Sequence, residues 1–237
     1  MDMGLEENIR RVRENIAIAA REAGRDPGEI TLCAATKTQS DETIRAAIAA
    51  GITVCGENRV QEMTAHLDAD AYAGAQVHFI GHLQTNKVRQ VVGRVDLIES
   101  VDSLRLLEAI DRQAASLGLC QDILLEVNIG RESSKSGVMP EEAETLARAA
   151  FGLSNVSLRG FMAIPPAVSP GESRRFFREM RQLFVDIKRK MAHNENDINC
   201  LSMGMSGDYM DAVREGATLV RVGTALFGAR EPRELKE

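Results

Sequence analysis

The stretch ITLCAATKTQSDETIRAAIAAG, residues 30–51, decides the fold class. Its first part, ITLCAAT, is a short apolar run typical of a buried β-strand. Ser40 and Asp41 follow as good helix N-cap residues, and ETIRAAIAA then continues with helical spacing until Gly51 ends the helix. The stretch therefore predicts one strand followed by one helix.

The same alternation recurs along the rest of the chain. Further apolar runs, each followed by a helical pattern, are ITVCG, VHFIG, VDLIESV, DILLEVNI, VSLRGFMAI, INCLSM and ATLVRVG. About eight such units within ~250 residues close a (β/α)8 barrel of the TIM type, and this is the fold class we predict. An open doubly wound α/β sheet is the alternative, but such sheets usually have fewer strands and the chain has no GxGxxG motif.

The arrangement of the units predicts a single domain over residues 1–237. No linker rich in Pro, Gly or Ser divides the chain, and an amphipathic helix is expected ahead of the first strand, at residues 5–23.

The composition is that of a globular protein, with 237 residues, 44% hydrophobic residues and a net charge of −6. This charge argues against nucleic acid or a membrane surface as partner. The four cysteines show no CxxC spacing, so we expect no metal site and no disulfide framework. The N-terminus lacks the apolar stretch of a secretory signal, and we expect a cytoplasmic monomer.

Two basic residues are predicted to meet at the carboxyl ends of the strands. Strand residues alternate between the lumen and the helical layer, so Leu32 and Ala34 face outward and Lys37 lies on the inward register. Arg221 lies on the inward register of the last strand, which closure places beside the first. A lysine partly desolvated beside an arginine favours the neutral amine, which attacks aldehydes to form a Schiff base. A solvated loop lysine is the alternative.

The loops after strands seven and eight have the composition of an anion site. MGMSGD supplies Ser206 and Gly207, and VGTALFG supplies Gly223 and Thr224. Glycines let backbone N–H groups approach an anion, and the hydroxyls add donors. Barrels commonly bind phosphate with these two loops, although tight turns would also explain the glycines.

Other polar residues near the strand ends are weaker candidates. Asn58 could contact a ligand while Glu57 caps a helix, and His82 is either a packed loop residue or a ligand contact. Asn128 lies inward near the barrel mouth, and the segment SSKSG after it lacks the GxxxxGK[ST] pattern.

A charge pair is also expected inside the barrel. Glu126 and Arg159 share the inward register of the neighbouring fifth and sixth strands. We expect them to pair there, because an unpaired charge in the barrel would cost several kcal/mol, roughly 3 to 5 if one partner were deleted.

Seven motifs in order over about residues 5–230 together resemble one family. These motifs are ATKTQ, CGENRVQE, HFIGHLQTNK, LLEVNIGRESSKSG, RGFMAIPP, LSMGMSGDY and VRVGTALFG. They are similar to those of the pyridoxal phosphate homeostasis proteins, also called the YggS or proline synthetase co-transcribed family. The family resembles the barrel domain of alanine racemase, a fold-type III protein that binds pyridoxal 5'-phosphate (PLP), without that enzyme's second β domain.

The resemblance implies PLP as the cofactor and assigns its contacts. Lys37 matches the lysine that forms the Schiff base with PLP, and Arg221 matches the arginine that faces the pyridine nitrogen. The remaining matched cofactor-binding positions are Asn58, Ser206, Gly207, Gly223 and Thr224.

The resemblance also implies a carrier that balances the vitamin B6 and amino-acid pools without substantial catalytic turnover, with apo PLP-dependent enzymes as acceptors. The alternative is a PLP-dependent amino-acid racemase of low activity, which would need a second acid/base residue. The chain has two tyrosines, of which Tyr72 is expected in a surface loop while Tyr209 stays a candidate. A Schiff-base aldolase acting on a sugar phosphate is a third possibility.

Overall fold

A computed structural model of the chain describes residues 4–169, 171–191 and 198–228. Within these residues, eight parallel strands form a closed barrel in which spatial order follows sequence order. The first and last strands close the barrel, with Thr31 paired with Leu219 and Ala34 with Val222. The predicted (β/α)8 barrel is confirmed.

The strands and helices alternate as the sequence pattern predicts. The strands are β1 (Thr31–Ala35), β2 (Val54–Glu57), β3 (Gln76–Phe79), β4 (Leu97–Val101), β5 (Gln121–Val127), β6 (Val156–Ala163), β7 (Cys200–Ser202) and β8 (Leu219–Val222). The α-helices are α1 (Leu5–Glu22), α2 (Asp41–Ala49), α3 (Val60–Asp68), α4 (Leu104–Leu117), α5 (Ala143–Phe151), α6 (Arg174–Lys190), α7 (Tyr209–Arg214) and α8 (Thr224–Phe227). Short 3-10 helices span Pro27–Glu29, Thr85–Gln90 and Pro140–Glu142.

The apolar core has two layers that follow the alternation of the strands. Leu32 and Ala34 pack into the large cluster between sheet and helices. Cys33, Ala35 and Leu219 pack together in a separate cluster inside the lumen. The predicted register of β1 is therefore correct, and it directs the end of this strand toward the lumen.

The first helix packs against the last two helices of the chain. Its apolar face buries Ile9, Val12 and Ile16 in the sheet–helix layer. Asn8 also donates to the carbonyl oxygen of Leu226 in α8 at 2.9 Å. This helix covers the outside of the barrel where β8 and β1 meet.

A bulge in β6 changes which of its residues face inward. Ile123 pairs with Leu158 while Leu124 pairs with Gly160, so Arg159 is the extra residue. Gly160 has a φ of 153°, and a Cβ built on it would lie 1.7 Å from the carbonyl oxygen of Cys200. Only glycine fits this backbone approach.

The predicted ion pair between Glu126 and Arg159 is wrong, because the bulge turns Arg159 away from the lumen. Arg159 instead forms an ion pair with Asp122, with Nε and Oδ2 3.4 Å apart, at the amino-terminal end of β5. Glu126 does face inward, but its Oε1 accepts a hydrogen bond from the Ser136 hydroxyl at 2.8 Å. The shift of one residue at Arg159 breaks the alternation on which the prediction rested.

Across the described part of the chain, no helix combines the length and the apolar character that crossing a membrane requires. All four cysteines, which are described, are free thiols.

Candidate functional site

The carboxyl end of β1 brings Lys37 to the barrel mouth. Lys37 follows β1 by two residues and is half-buried. Ala35 lies in the lumen, and a Cβ built on Gly223 would be 3.5 Å from the Ala35 Cβ. The segment that carries Lys37 and the loop after β8 are therefore neighbours, as closure of the barrel predicts.

The loops after β7 and β8 are joined by one hydroxyl group. Ser206 Oγ accepts hydrogen bonds from the backbone N–H of Gly223 at 3.1 Å and of Ala225 at 3.2 Å. No atom lies within 4 Å of a Cβ built on Gly207, so the backbone of this loop is open to approach. Thr224 is the first residue of α8. The two loops that the sequence predicts as an anion site thus form one continuous surface beside Lys37.

Arg221 is held inside the lumen by three direct partners. One guanidinium nitrogen, Nη1, donates to the Ser202 hydroxyl and lies 3.7 Å from Glu99 Oε2. Nη2 donates to the carbonyl oxygen of Ala163 at 3.0 Å. Ser202 donates in turn to Glu99 Oε2 at 2.6 Å, and His78 Nδ1 lies 2.7 Å from Glu99 Oε1. The predicted inward position of Arg221 is confirmed, and its side chain has a fixed direction.

The charge of Arg221 is balanced by Glu99. Burial alone would raise the pKa of Glu99, but the contact with His78, the nearby Arg221 and the Ser202 hydroxyl together lower that pKa. Glu99 therefore stays ionised, and the pair buries one positive and one negative charge side by side.

The side chain of Asn58 has a buried oxygen without a hydrogen-bond donor in the described part of the chain. Its Oδ1 is buried and accepts no hydrogen bond from any described residue. A Cβ built on Gly81 would lie 2.1 Å from the Asn58 carbonyl oxygen, so the HFIGHLQTNK segment packs directly on the Asn58 backbone and fixes it. A buried acceptor without a partner is expected where a ligand completes the site.

The opposite side of the mouth, at the ends of β3, β4 and β5, is acidic. His82 Nδ1 lies 3.4 Å from Asp102 Oδ2, and the His82 side chain is exposed. Burial raises the pKa of Glu126, the negative charge of Asp102 raises it further, and the Ser136 hydroxyl offsets part of this rise. The contact with Asp102 makes His82 a loop residue paired with a carboxylate.

Asn128 organises the loop that follows β5. Its Nδ2 donates to the Glu132 carbonyl oxygen at 2.8 Å, and its Oδ1 accepts from the Glu132 N–H at 3.1 Å. Lys135 Nζ in the same loop lies 2.8 Å from Glu132 Oε2. The side chain of Asn128 is thus engaged within the protein, which is a structural role.

Tyr72 and Glu57 do not lie where the sequence pattern places them. Tyr72 is buried in the sheet–helix layer rather than in a surface loop, and its hydroxyl donates to Glu57 Oε1 at 2.9 Å. Glu57 is the last residue of β2 and caps no helix, because its Oε1 also accepts from the Thr36 hydroxyl at 2.5 Å. Tyr209 lies in the same layer, where its hydroxyl accepts from Asn15 of α1 at 2.9 Å.

Three polar residues inside the lumen, which form the hydrogen-bond network around Arg221, are not among the residues predicted from the sequence. His78, Glu99 and Ser202 each stand in the middle or at the end of an apolar strand. Their signal was a polar residue on the inward register, and it could have been found by continuing the alternation through VHFI, LIES and CLS.

One group of potential metal ligands lies below Arg221. Among the described residues, donor atoms of Cys33, His78 and Glu99 all lie within 4.8 Å of one another. Burial and the charge of Glu99 raise the pKa of Cys33 well above its ordinary value, and the cation of Arg221 stands beside Glu99. Both effects oppose a metal ion, so our prediction of no metal site stays in place.

Comparisons with known proteins agree with this architecture. The family model of the alanine racemase N-terminal domain matches residues 8–231. The pyridoxal phosphate homeostasis protein of Aquifex aeolicus is 42% identical over 226 residues, which cover 95% of this chain and 98% of that protein. The Escherichia coli (strain K12) protein of the same name is 40% identical over 94% of this chain and 96% of its own.

Solved structures show the same fold. PipY of Synechococcus elongatus PCC7942, with PLP bound, has a TM-score of 0.82 and 32% identity. The match covers 95% of this chain and 100% of the PipY chain. Alanine racemase of Clostridium difficile 630 has a TM-score of 0.73 at 17% identity, and the match covers 96% of this chain and 58% of the enzyme, which supports the fold alone. The resemblance noted from the seven motifs is confirmed: the chain belongs to the alanine racemase N-terminal domain family and, within it, to the pyridoxal phosphate homeostasis proteins.

Proposed function

We propose that this protein binds pyridoxal 5'-phosphate as a Schiff base on Lys37 and acts in PLP and amino-acid homeostasis, without substantial catalytic turnover. The observation that carries the proposal is the meeting of Lys37 with the joined loops after β7 and β8, at the point where β8 pairs with β1. The names of its relatives and the PLP bound to PipY support the same cofactor.

The residues at the mouth fit this cofactor. When bound, PLP supplies an aldehyde that a lysine amine captures reversibly. Ser206 and Thr224 would hold the phosphate through their hydroxyls and Gly207 through its backbone N–H. Gly223, whose N–H donates to Ser206 Oγ in this structure, would turn that N–H to the phosphate or fix Ser206 toward it. Asn58 offers a buried oxygen that still lacks a hydrogen-bond donor.

Arg221 would face the ring nitrogen and leave it unprotonated. A guanidinium keeps its proton at any ordinary pH, so it donates to a ring nitrogen and takes no proton from it. The hydrogen bonds to Ser202 and Ala163 fix its direction. An unprotonated ring withdraws electrons weakly, which suits carriage better than demanding catalysis.

The positions of the two tyrosines also favour a carrier over a racemase. A two-base racemase needs an acid/base group on the face opposite the lysine. Tyr72 and Tyr209 both pack in the sheet–helix layer, with their hydroxyls engaged by Glu57 and Asn15. Neither hydroxyl is placed to serve the barrel mouth.

We extend the proposal to the cellular setting. Apo PLP-dependent enzymes would receive the cofactor, and the protein would act as a cytoplasmic monomer. The free thiols of its four cysteines suit a reducing compartment.

The test is an absorbance spectrum of the purified protein with PLP before and after borohydride, followed by peptide mapping. We expect the reduced adduct on Lys37 and its complete loss in Lys37→Ala, which should fold normally because Lys37 is half-buried at the end of a strand. Lys188→Ala, a change on the distant helix α6, is the matched control and should label like the wild type. An adduct that persists in Lys37→Ala would contradict the assignment.

The phosphate residues and the turnover are tested separately. Ser206→Ala and Thr224→Ala should each weaken PLP retention by roughly 0.5 to 3 kcal/mol in equilibrium dialysis, because a hydrogen bond to a charged group is lost. Unchanged affinity in both variants would place the phosphate elsewhere. Incubation with L-amino acids in deuterated water should give no deuterium at Cα beyond that given by free PLP, and faster exchange would favour the racemase.

A further inference from the structure

The short segment that carries Lys37 is held from both sides by residues of β2 and α3. Before the lysine, Thr36 donates its N–H to the Gly56 carbonyl oxygen at 3.0 Å and its hydroxyl to Glu57 Oε1 at 2.5 Å. After the lysine, the Thr38 N–H donates to Glu62 Oε2 at 3.2 Å. The direction in which Lys37 leaves β1 is therefore set by side chains of another strand and helix.

The backbone of this segment adopts a conformation that its sequence disfavours. Thr38 has a φ of 67°, in the left-handed region, where a β-branched residue is a rare outlier. Such a conformation persists only where the surrounding structure imposes it, and it is found mostly at functional sites. The hydrogen bonds on either side of Lys37 supply that constraint.

Glu57 is poorly explained by stability alone. It is fully buried in the sheet–helix layer, and its Oε1 accepts from both Thr36 and Tyr72. Its Oε2 is also buried and has no hydrogen-bond partner among the described residues. A buried polar group without a partner costs free energy, so an apolar side chain would suit the fold as well or better.

Burial makes Glu57 easier to protonate than an exposed carboxyl. Burial raises the pKa of this carboxyl, and the two hydroxyl donors offset only part of the rise. The Oε1 atom can accept from the Thr36 hydroxyl whether or not the carboxyl carries a proton, so the hold on this segment rests on the geometry.

We propose that Glu57 is a positioning residue for Lys37: by holding the Thr36 hydroxyl, it fixes the turn that directs the lysine amine into the barrel mouth. The inference rests on the proposed function, in which Lys37 captures the PLP aldehyde. Glu57 itself touches neither the lysine amine nor the cofactor in this scheme.

The test compares two pairs of variants. Thr36→Val removes the hydroxyl, while Thr36→Ser keeps it; Glu57→Leu removes the acceptor, while Glu57→Gln keeps an oxygen for both donors. The first readout is the rate at which PLP forms the borohydride-trapped adduct. Thr36→Val and Glu57→Leu should slow adduct formation about tenfold or more, because small errors in orientation cost large factors in rate, while the conservative variants stay within about twofold.

A second readout needs no cofactor. Competitive acetylation of the ligand-free protein with acetic anhydride, followed by peptide mass analysis across a pH series, gives the reactivity of each lysine amine. Thr36→Val should change the rate and pH profile of Lys37, while Lys188 on α6 should react as in the wild type. Thr36→Ser should restore the wild-type profile of Lys37.

The outcomes separate this inference from the proposed function. If the wild type forms no adduct with PLP, the proposed function is wrong, and the acetylation profile still decides whether Thr36 and Glu57 position Lys37. If Thr36→Val folds and its Lys37 reacts like the wild type in both readouts, the positioning role is wrong. Should Glu57→Leu fail to fold, Thr36→Val removes the same hydrogen bond and carries the test alone.

Discussion

Two carboxyl groups, Glu57 and Glu99, are fully buried on opposite sides of the barrel wall, and their pKa values are shifted in opposite directions. In the lumen, His78, Arg221 and Ser202 overcome the effect of burial and lower the pKa of Glu99. In the sheet–helix layer, burial dominates and raises the pKa of Glu57. Partners rather than depth decide the direction in which the pKa of a buried carboxyl moves, and here the lumen carboxyl has a cation beside it while the carboxyl in the outer layer has hydroxyl donors.

The largest expected effect comes from removing the lumen carboxylate. Glu99→Ala leaves the Arg221 guanidinium buried without its counter-charge, so we expect a loss of about 3 to 5 kcal/mol in the free energy of unfolding. Urea denaturation of the ligand-free protein measures this loss.

The double variant Glu99→Leu with Arg221→Leu is the control, because it removes both charges together. It should recover most of the stability. A Glu99→Ala protein within about 1 kcal/mol of the wild type would show that the pair is not a buried, desolvated one.

The pH dependence of stability should have opposite signs at the two sites. The pKa of Glu57 is raised in the folded state, so its contribution is present below the ordinary value of 4.5 and is lost as pH rises through the folded pKa. The pKa of Glu99 is lowered, so its contribution is present above 4.5 and is lost as pH falls through the folded pKa.

Two glutamine variants isolate these contributions. Relative to the wild type, the free energy of unfolding of Glu57→Gln should rise as pH rises. Glu99→Gln should be less stable than the wild type above pH 4.5, and this difference should shrink as pH falls below 4.5. Each slope is limited to about 1.4 kcal/mol per pH unit in the free energy of unfolding. Urea titrations at a series of pH values measure both slopes, and slopes of the same sign would break the comparison.

A smaller effect is expected from the donors to Glu57. Tyr72→Phe removes the hydroxyl that donates to Glu57 Oε1 at 2.9 Å and should cost about 1 kcal/mol. It should also raise the pKa of Glu57 further, because that hydrogen bond lowers it. Tyr209→Phe, which removes a partly buried hydrogen bond with Asn15, is the matched control and should cost less. If both variants lost the same free energy of unfolding, the hydrogen bond from Tyr72 to the buried carboxyl would be no stronger than the partly buried one between Asn15 and Tyr209.

The smallest effect is expected at the ion pair of Asp122 and Arg159, which sharpens the comparison with the buried pair. Their side chains are 43% and 36% exposed, so water screens the pair. Arg159→Ala should change the free energy of unfolding by no more than about 1 kcal/mol, as measured by urea denaturation at low and high salt. A loss as large as that in Glu99→Ala would contradict the view that exposure decides the difference.

Most of the fold could be predicted because its strands alternate regularly. In β1 and β8, apolar residues at every second position assign Leu32 and Val220 to the outer layer and Arg221 to the lumen, as observed. The same count fails in β6, because the extra residue at Arg159 leaves no mark in the pattern VSLRGFMAI. A bulge depends on how two strands pair, which one strand's sequence does not contain.

The candidate site was predictable for residues that follow a strand and for Arg221, whose register within β8 is regular, but not for the partners that surround Arg221 in the lumen. Lys37 and Ser206 stand just beyond strand ends, so the barrel geometry alone indicates their place. The hydrogen bond between Ser202 and Glu99 joins residues 103 positions apart, and only the closed lumen brings them together. The sequence places Tyr72 in a loop before β3 and therefore predicts it at the surface, while its hydroxyl is in fact buried against the carboxyl of Glu57.

Closure of the barrel by β8 also affects the order of events during biosynthesis. A ribosome makes Lys37 early, yet Arg221 and the loop at Gly223 emerge 184 and 186 positions later. Until then a nascent chain has Lys37 without the loop after β8, and Glu99 has no guanidinium beside it. Under the proposed function, a growing polypeptide would therefore offer no complete aldehyde trap, and cofactor capture would begin only once translation has passed α8.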